Sequence, residues 1–129
     1  MAAKSCVVDT SVWIEWLIDG PLTAEIAKHM PPRDEFIVPT LVQHEMAKWL
    51  LRERGEAEAD EFIAYTQMCV VVPLDTPIAL AAADLCRQHR LATADAVIYA
   101  TALSREAGLV TCDAHFEGLA GVVLVRKSG

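Results

Sequence analysis

Four carboxylates stand where this chain should leave a strand or enter a helix. Asp9 closes the apolar run Cys6-Val7-Val8 and is followed by Thr10-Ser11. Glu45 falls one turn into a helix expected after Phe36-Ile37-Val38-Pro39. Asp95 opens the helical run Ala94 to Ala100, and Asp113 follows the apolar strand Leu109 to Cys112. If the strands run parallel, all four acids collect at one edge of one sheet. Carboxylates gathered in that way hold a hard cation, Mg²⁺ or Mn²⁺, against phosphate oxygens. Thr10, Ser11 and Thr111 supply hydroxyls that can orient ligands or water.

Each acid also has a plainer explanation. The helix dipole favours Asp95 at a first turn without any function. Glu45 can pair with Lys48 at i,i+3, although Leu41 and Trp49 place it at the border of an apolar stripe. Asp9 can cap the first helix, and Asp113 can be a turn residue before His115-Phe116. All four explanations together require four coincidences on one edge.

The elements that must position these acids alternate strand and helix. Strands are expected at about 5–9, 35–38, 69–72, 109–112 and 122–125, and helices at about 11–18, 22–30, 41–54, 56–67, 77–90 and 94–107. That alternation predicts an α/β fold with a mostly parallel sheet, whose ligands sit beyond the strand carboxyl ends. Thr40 with Gln43 reads as a capping box. Thr93 reads as a further cap, Pro77 suits a first helical turn, and Gly55 and Gly108 read as helix ends.

The chain has 129 residues, enough for one domain over 1–129. No apolar run approaches the roughly 20 residues that span a bilayer. The opening Met1 to Ser5 leads straight toward a strand, which reads as no secretory signal. The four cysteines lack Cys-x-x-Cys spacing. They argue against zinc and for a reducing, cytoplasmic setting. The net charge of −7 disfavours a broad basic nucleic-acid surface. It leaves a metal-centred nuclease open.

The ordered motifs Val8-Asp9-Thr10-Ser11, Glu45 within a helix, Asp95 to Ala100, and Val110-Thr111-Cys112-Asp113-Ala114-His115-Phe116 resemble those of the PIN domain. The chain length further resembles the VapC toxins of VapBC toxin–antitoxin pairs. The resemblance implies a three-layer α/β/α sandwich around a mostly parallel sheet of four to five strands. It implies a Mg²⁺- or Mn²⁺-dependent endoribonuclease that cleaves RNA by metal-activated water. Asp9, Glu45, Asp95 and Asp113 would be its catalytic and metal-binding acids, with Thr10, Ser11 and Thr111 as polar support. It also implies a homodimer and a cognate VapB-type antitoxin. One departure is His115, where the family often carries an acid; little effect is expected from it.

Other readings fit less well. A haloacid-dehalogenase phosphatase needs an acid where Ser11 stands, a von Willebrand-type adhesion module needs Ser at Trp13, and a receiver domain needs paired early acids. A housekeeping RNA-processing PIN protein or a silent PIN-like scaffold are the alternatives. Two further expectations concern surfaces. His44, Lys48 and Arg52 recur every fourth residue on one helix face beside Glu45, where Lys48 and Arg52 can guide an RNA backbone; a solvated face paired with Glu45 and Glu56 is the alternative. The first helix is apolar around more than one face, and part of the Trp13, Trp16 and Leu17 surface is expected to stay exposed as a partner-docking groove.

Overall fold

Five short strands pair in parallel in the computed structural model, which describes residues 5–126. Residues 1–4, with most of the opening segment read above for a leader, and residues 127–129 lie outside the described residues. In chain order the elements are β1 (Cys6–Val8), α1 (Thr10–Leu17), α2 (Thr23–Ala27), β2 (Phe36–Pro39), α3 (Thr40–Glu53) and α4 (Glu56–Thr66). Then come β3 (Val70–Val72), α5 (Thr76–His89), α6 (Thr93–Ser104), β4 (Gly108–Thr111) and β5 (Val122–Leu124). Short 3-10 turns cover Arg33–Glu35 and Ala114–Phe116.

The strand order is β3-β2-β1-β4-β5. The chain thus winds outward from β1 to β3, returns, and winds the other way through β4 and β5. Right-handed crossovers then place α1 to α4 on one face and α5 and α6 on the other. The result is the expected three-layer sandwich. The reversal falls between β1 and β4, where Val7 pairs with Leu109 and Val8 with Val110. A crevice opens at such a reversal, beyond the carboxyl ends of the two strands.

The central strands are apolar without alternation, as strands covered on both faces must be. Cys6, Val7, Val8, Leu109, Val110 and Thr111 are all buried. The edge strands expose Val70 and Val123. Every residue of α6 from Ala96 to Ala102 is buried, so this helix packs on all sides, and its small residues permit that. Asp95 is therefore carried at the tip of the most enclosed helix.

Several local expectations are corrected. Thr40 and Gln43 form no capping box. Thr40 is the first helical residue, and its hydroxyl accepts from Leu74 N at 3.3 Å. Gln43 donates instead to Thr66 Oγ1 at 3.0 Å, tying α3 to α4. Thr93 does not cap α6 either, because the helix begins with it after Ala92. Gly108 starts β4; the left-handed residue after α6 is Glu106, at φ 52°. α2 ends at Ala27, short of the expected 30. Pro31 keeps Met30 out of helical geometry, which helps to stop the helix early. Pro77 does sit in the first turn of α5, with Asp75 as its cap, accepting from Ile78 N at 3.0 Å. Gly55 closes α3 at φ 105°, its N–H reaching Leu50 O at 2.8 Å.

Candidate active site

Asp9 follows β1 directly, and its N–H still donates to Val110 O at 2.9 Å, holding the residue in the crevice between β1 and β4. It stands at the N-cap position just before α1, yet its side chain makes no capping bond. Instead Oδ2 accepts from Ser11 Oγ at 2.8 Å and from Thr111 Oγ1 at 2.8 Å. The residue is 5% exposed. Its pKa is raised, chiefly by burial and also by the charge of Asp95; the Ser11, Thr111 and Thr10 hydrogen bonds pull in the opposite direction. Burying a carboxylate is costly unless something positive or a donor set answers it. Two hydroxyls answer it only in part.

The polar support is continuous. Ser11 Oγ also accepts from Cys112 N at 3.0 Å, and Thr111 Oγ1 accepts from Asp113 N at 3.0 Å. The ends of β1 and β4 are thus laced together by two hydroxyls. Thr10 turns the other way and donates to Glu45 Oε1 at 2.7 Å, fixing the α3 carboxylate toward the same edge. Glu45 therefore bonds to α1 rather than to Lys48.

Asp95 and Asp113 complete the group. The pKa of Asp95 is raised by burial first, then by the charge of Asp113, with Glu45 adding; His115 opposes the rise. Asp95 is thus within electrostatic reach of Asp9, Glu45 and Asp113. Asp113 also acts as a turn residue, since its Oδ1 accepts from His115 N at 2.9 Å. The Cys112 thiol between Thr111 and Asp113 is pushed up to about 11 by burial and by Glu15 and Asp9. It stays a neutral thiol, not a thiolate ligand.

His115 was not expected to matter. Its Nδ1 lies 3.2 Å from Asp113 Oδ1 and 3.5 Å from Asp95 Oδ2. Asp95, Asp113 and His115 each offer a ligand atom within 4.8 Å of the others. The available signal was its place two residues after Asp113, on a turn too short to carry any periodicity.

A model of the PIN domain matches residues 6–122. The chain belongs to the PIN-domain family. None of the curated proteins compared matches the sequence. Solved structures similar to this PIN domain include a toxin-antitoxin complex from Klebsiella pneumoniae, at TM-score 0.80 and 20% identity over 92% of this chain and 96% of that one. DNA-bound VapBC from Salmonella typhimurium is similar at TM-score 0.70 and 17% identity, over 94% and 96%. The sarcin-ricin loop cleaving toxin VapC20 of Mycobacterium tuberculosis is similar at TM-score 0.70 and 20% identity, over 95% and 100%.

The remaining expected surface residues of this PIN domain lie on α3 and α1. Lys48 and Arg52 are exposed on α3. Arg52 pairs with Glu53 at 3.0 Å, not with Glu56, and Lys48 has no ion pair among the described residues. Trp13 is not exposed as expected. It is 5% accessible, with its ring centroid 5.4 Å from Phe36, 5.3 Å from Phe62 and 6.2 Å from Tyr65. Trp16 is 39% exposed and Leu17 half-buried. The three line an open groove of about 680 Å³ together with Met30, Phe62 and Tyr65, and its charged lining residues are Glu58, Glu61 and Arg33. The Trp13 indole N–H finds no acceptor among the described residues. No helix among the described residues is long and apolar enough to cross a membrane.

Proposed function

We propose that this PIN domain is a divalent-metal-dependent endoribonuclease acting as the toxin of a type II toxin–antitoxin pair. The observation that carries this reading is the buried Asp9 carboxylate in the β1–β4 crevice, coupled to Asp95 and through it to Glu45 and Asp113. So much negative charge at one sheet edge is unfavourable alone and favourable around a cation. The donor set fits Mg²⁺ or Mn²⁺, and the four acids would hold the ion. A bound cation acidifies water and offsets charge on a phosphodiester. The chain's own part is orientation. Ser11 and Thr111 fix the Asp9 carboxylate, Thr10 fixes Glu45, and α6 presents Asp95 from a rigid core. Lys48 and Arg52 guide the RNA backbone toward this edge.

The similar structures support the toxin assignment, since one is described as a toxin-antitoxin complex, one as VapBC and one as a sarcin-ricin loop cleaving toxin. The partner is a VapB-type antitoxin whose apolar side chains enter the groove at Trp16 and Leu17, above a floor that includes Trp13. A basic antitoxin tail suits a chain of net charge −7. The active form is a homodimer.

The test is Asp9→Asn and Asp95→Asn, each checked for folding by circular dichroism. Both should lose Mn²⁺-dependent RNA cleavage and growth inhibition, and Mn²⁺ should raise the Tm of the wild type but not of the variants. Wild-type cleavage by Asp9→Asn in Mn²⁺ would overturn the assignment.

A further inference from the structure

His115 places a nitrogen among the oxygens of the acidic centre. The turn that carries it is anchored: Phe116 is fully buried, its N–H donates to Asp113 O at 3.2 Å, and His115 N donates to Asp113 Oδ1 at 2.9 Å. The imidazole is thus held over two carboxylates by its own backbone while 75% of the side chain stays exposed. The spacing fits shared coordination. Two ligands at right angles on an ion with bonds of about 2.1 Å stand about 3 Å apart. Nδ1 stands 3.2 Å from Asp113 Oδ1 and 3.5 Å from Asp95 Oδ2. Of the four acids, Asp95 and Asp113 are the two at ligand spacing from His115; Asp9 and Glu45 would face the ion from carboxylates held by Ser11, Thr111 and Thr10.

Ligand type then decides which cation gains. Mg²⁺ takes oxygen ligands and keeps water in preference to nitrogen. Later divalent ions accept imidazole, and site affinity rises along the first-row series that begins with Mn²⁺. We propose that His115 Nδ1 is a direct ligand of the cation between Asp95 and Asp113, so that this centre selects Mn²⁺ over Mg²⁺. The inference rests on the reading of the acidic centre as a metal site. It differs from a simple ion pair, in which the imidazole would occupy the cation's place and compete with it.

The full-length wild type, His115→Ala and His115→Asp are titrated calorimetrically with Mn²⁺ and with Mg²⁺, and the Mn²⁺ forms are examined by pulsed electron paramagnetic resonance for coupling to ¹⁴N. The expected result is a wild type that binds Mn²⁺ more tightly and shows nitrogen coupling. His115→Ala should lose the coupling and weaken Mn²⁺ binding by at least about tenfold, the scale of losing even an outer-shell partner. Its Mg²⁺ affinity should change little. His115→Asp should restore an oxygen donor and tighten Mg²⁺ relative to Mn²⁺. If wild type binds both ions but His115→Ala leaves the Mn²⁺/Mg²⁺ ratio unchanged, tightens both, or retains nitrogen coupling, the His115 inference fails and the acidic site stands. If wild type binds neither ion, both fail.

Discussion

Thr111→Val separates the hydroxyl from everything else that Thr111 contributes. Thr111 is fully buried, and Val keeps its β-branch and volume, so β4 should persist without a new cavity. What goes is one hydrogen bond to the Asp9 carboxylate and the acceptor for Asp113 N–H. A bond to a charged group contributes about 1.5–3 kcal/mol, and an orphaned, partly buried N–H costs about 1 kcal/mol more. The added methyl returns somewhat under about 1 kcal/mol. The net loss should be about 2–3 kcal/mol, or a Tm lower by roughly 6–15 °C in a chain of this size. Thr111→Ser keeps both bonds and loses one methyl, for about 1 kcal/mol. Urea unfolding in EDTA at pH 7.5 should therefore rank wild type above Ser and Ser above Val, at constant m. If Val lies within about 0.5 kcal/mol of wild type, or above Ser, the hydroxyl does not hold the Asp9 carboxylate as argued.

The raised pKa values of Asp9 and Asp95 fix a sign. Between the unfolded value and the raised folded values, the folded chain binds more protons. Metal-free stability should then fall as pH rises from the ordinary carboxylate range through the folded values, and saturating Mn²⁺ should remove that fall; urea midpoints at a series of pH values check it. Trp16→Ala should keep the fold and weaken antitoxin binding by about 2 kcal/mol or more if Trp16 anchors the groove; unchanged affinity places the partner elsewhere. Lys48→Glu with Arg52→Glu should weaken RNA binding and shallow its salt dependence, measured as the slope of log affinity against log salt. An unchanged slope leaves only a solvated helix face.

The places of the four acids in the fold were legible because each is tied to a strand end or an early helical turn. The layer order was legible for the same reason. What the sequence hid were bonds whose partners lie far along the chain. Thr40 and Gln43 had a local partner on paper, but Leu74 and Thr66 took their places once α4 and β3 packed. Trp13 looked like surface because α1 is apolar all round; its burial depends on Phe36, Phe62 and Tyr65 arriving from three other segments. The placing of His115 was illegible because an exposed residue on a one-turn helix has no periodicity to read. Only the placing of Asp95 beside Asp113 shows what its imidazole touches.

The β1–β4 pairing also sets a schedule during synthesis. The hydroxyl bond to Asp9 reaches 102 residues along the chain, to the last strand but one. Contacts of such span are made late, after the intervening loop has been closed. A ribosome can release β1, α1 and the whole of α3 with Asp9 and Glu45 in place, and the crevice still has only one wall. The second wall, with Thr111 and Asp113, emerges when the chain is nearly complete. A product terminated just before β4 therefore carries Asp9, Glu45 and Asp95 but lacks Asp113 and has no enclosed centre.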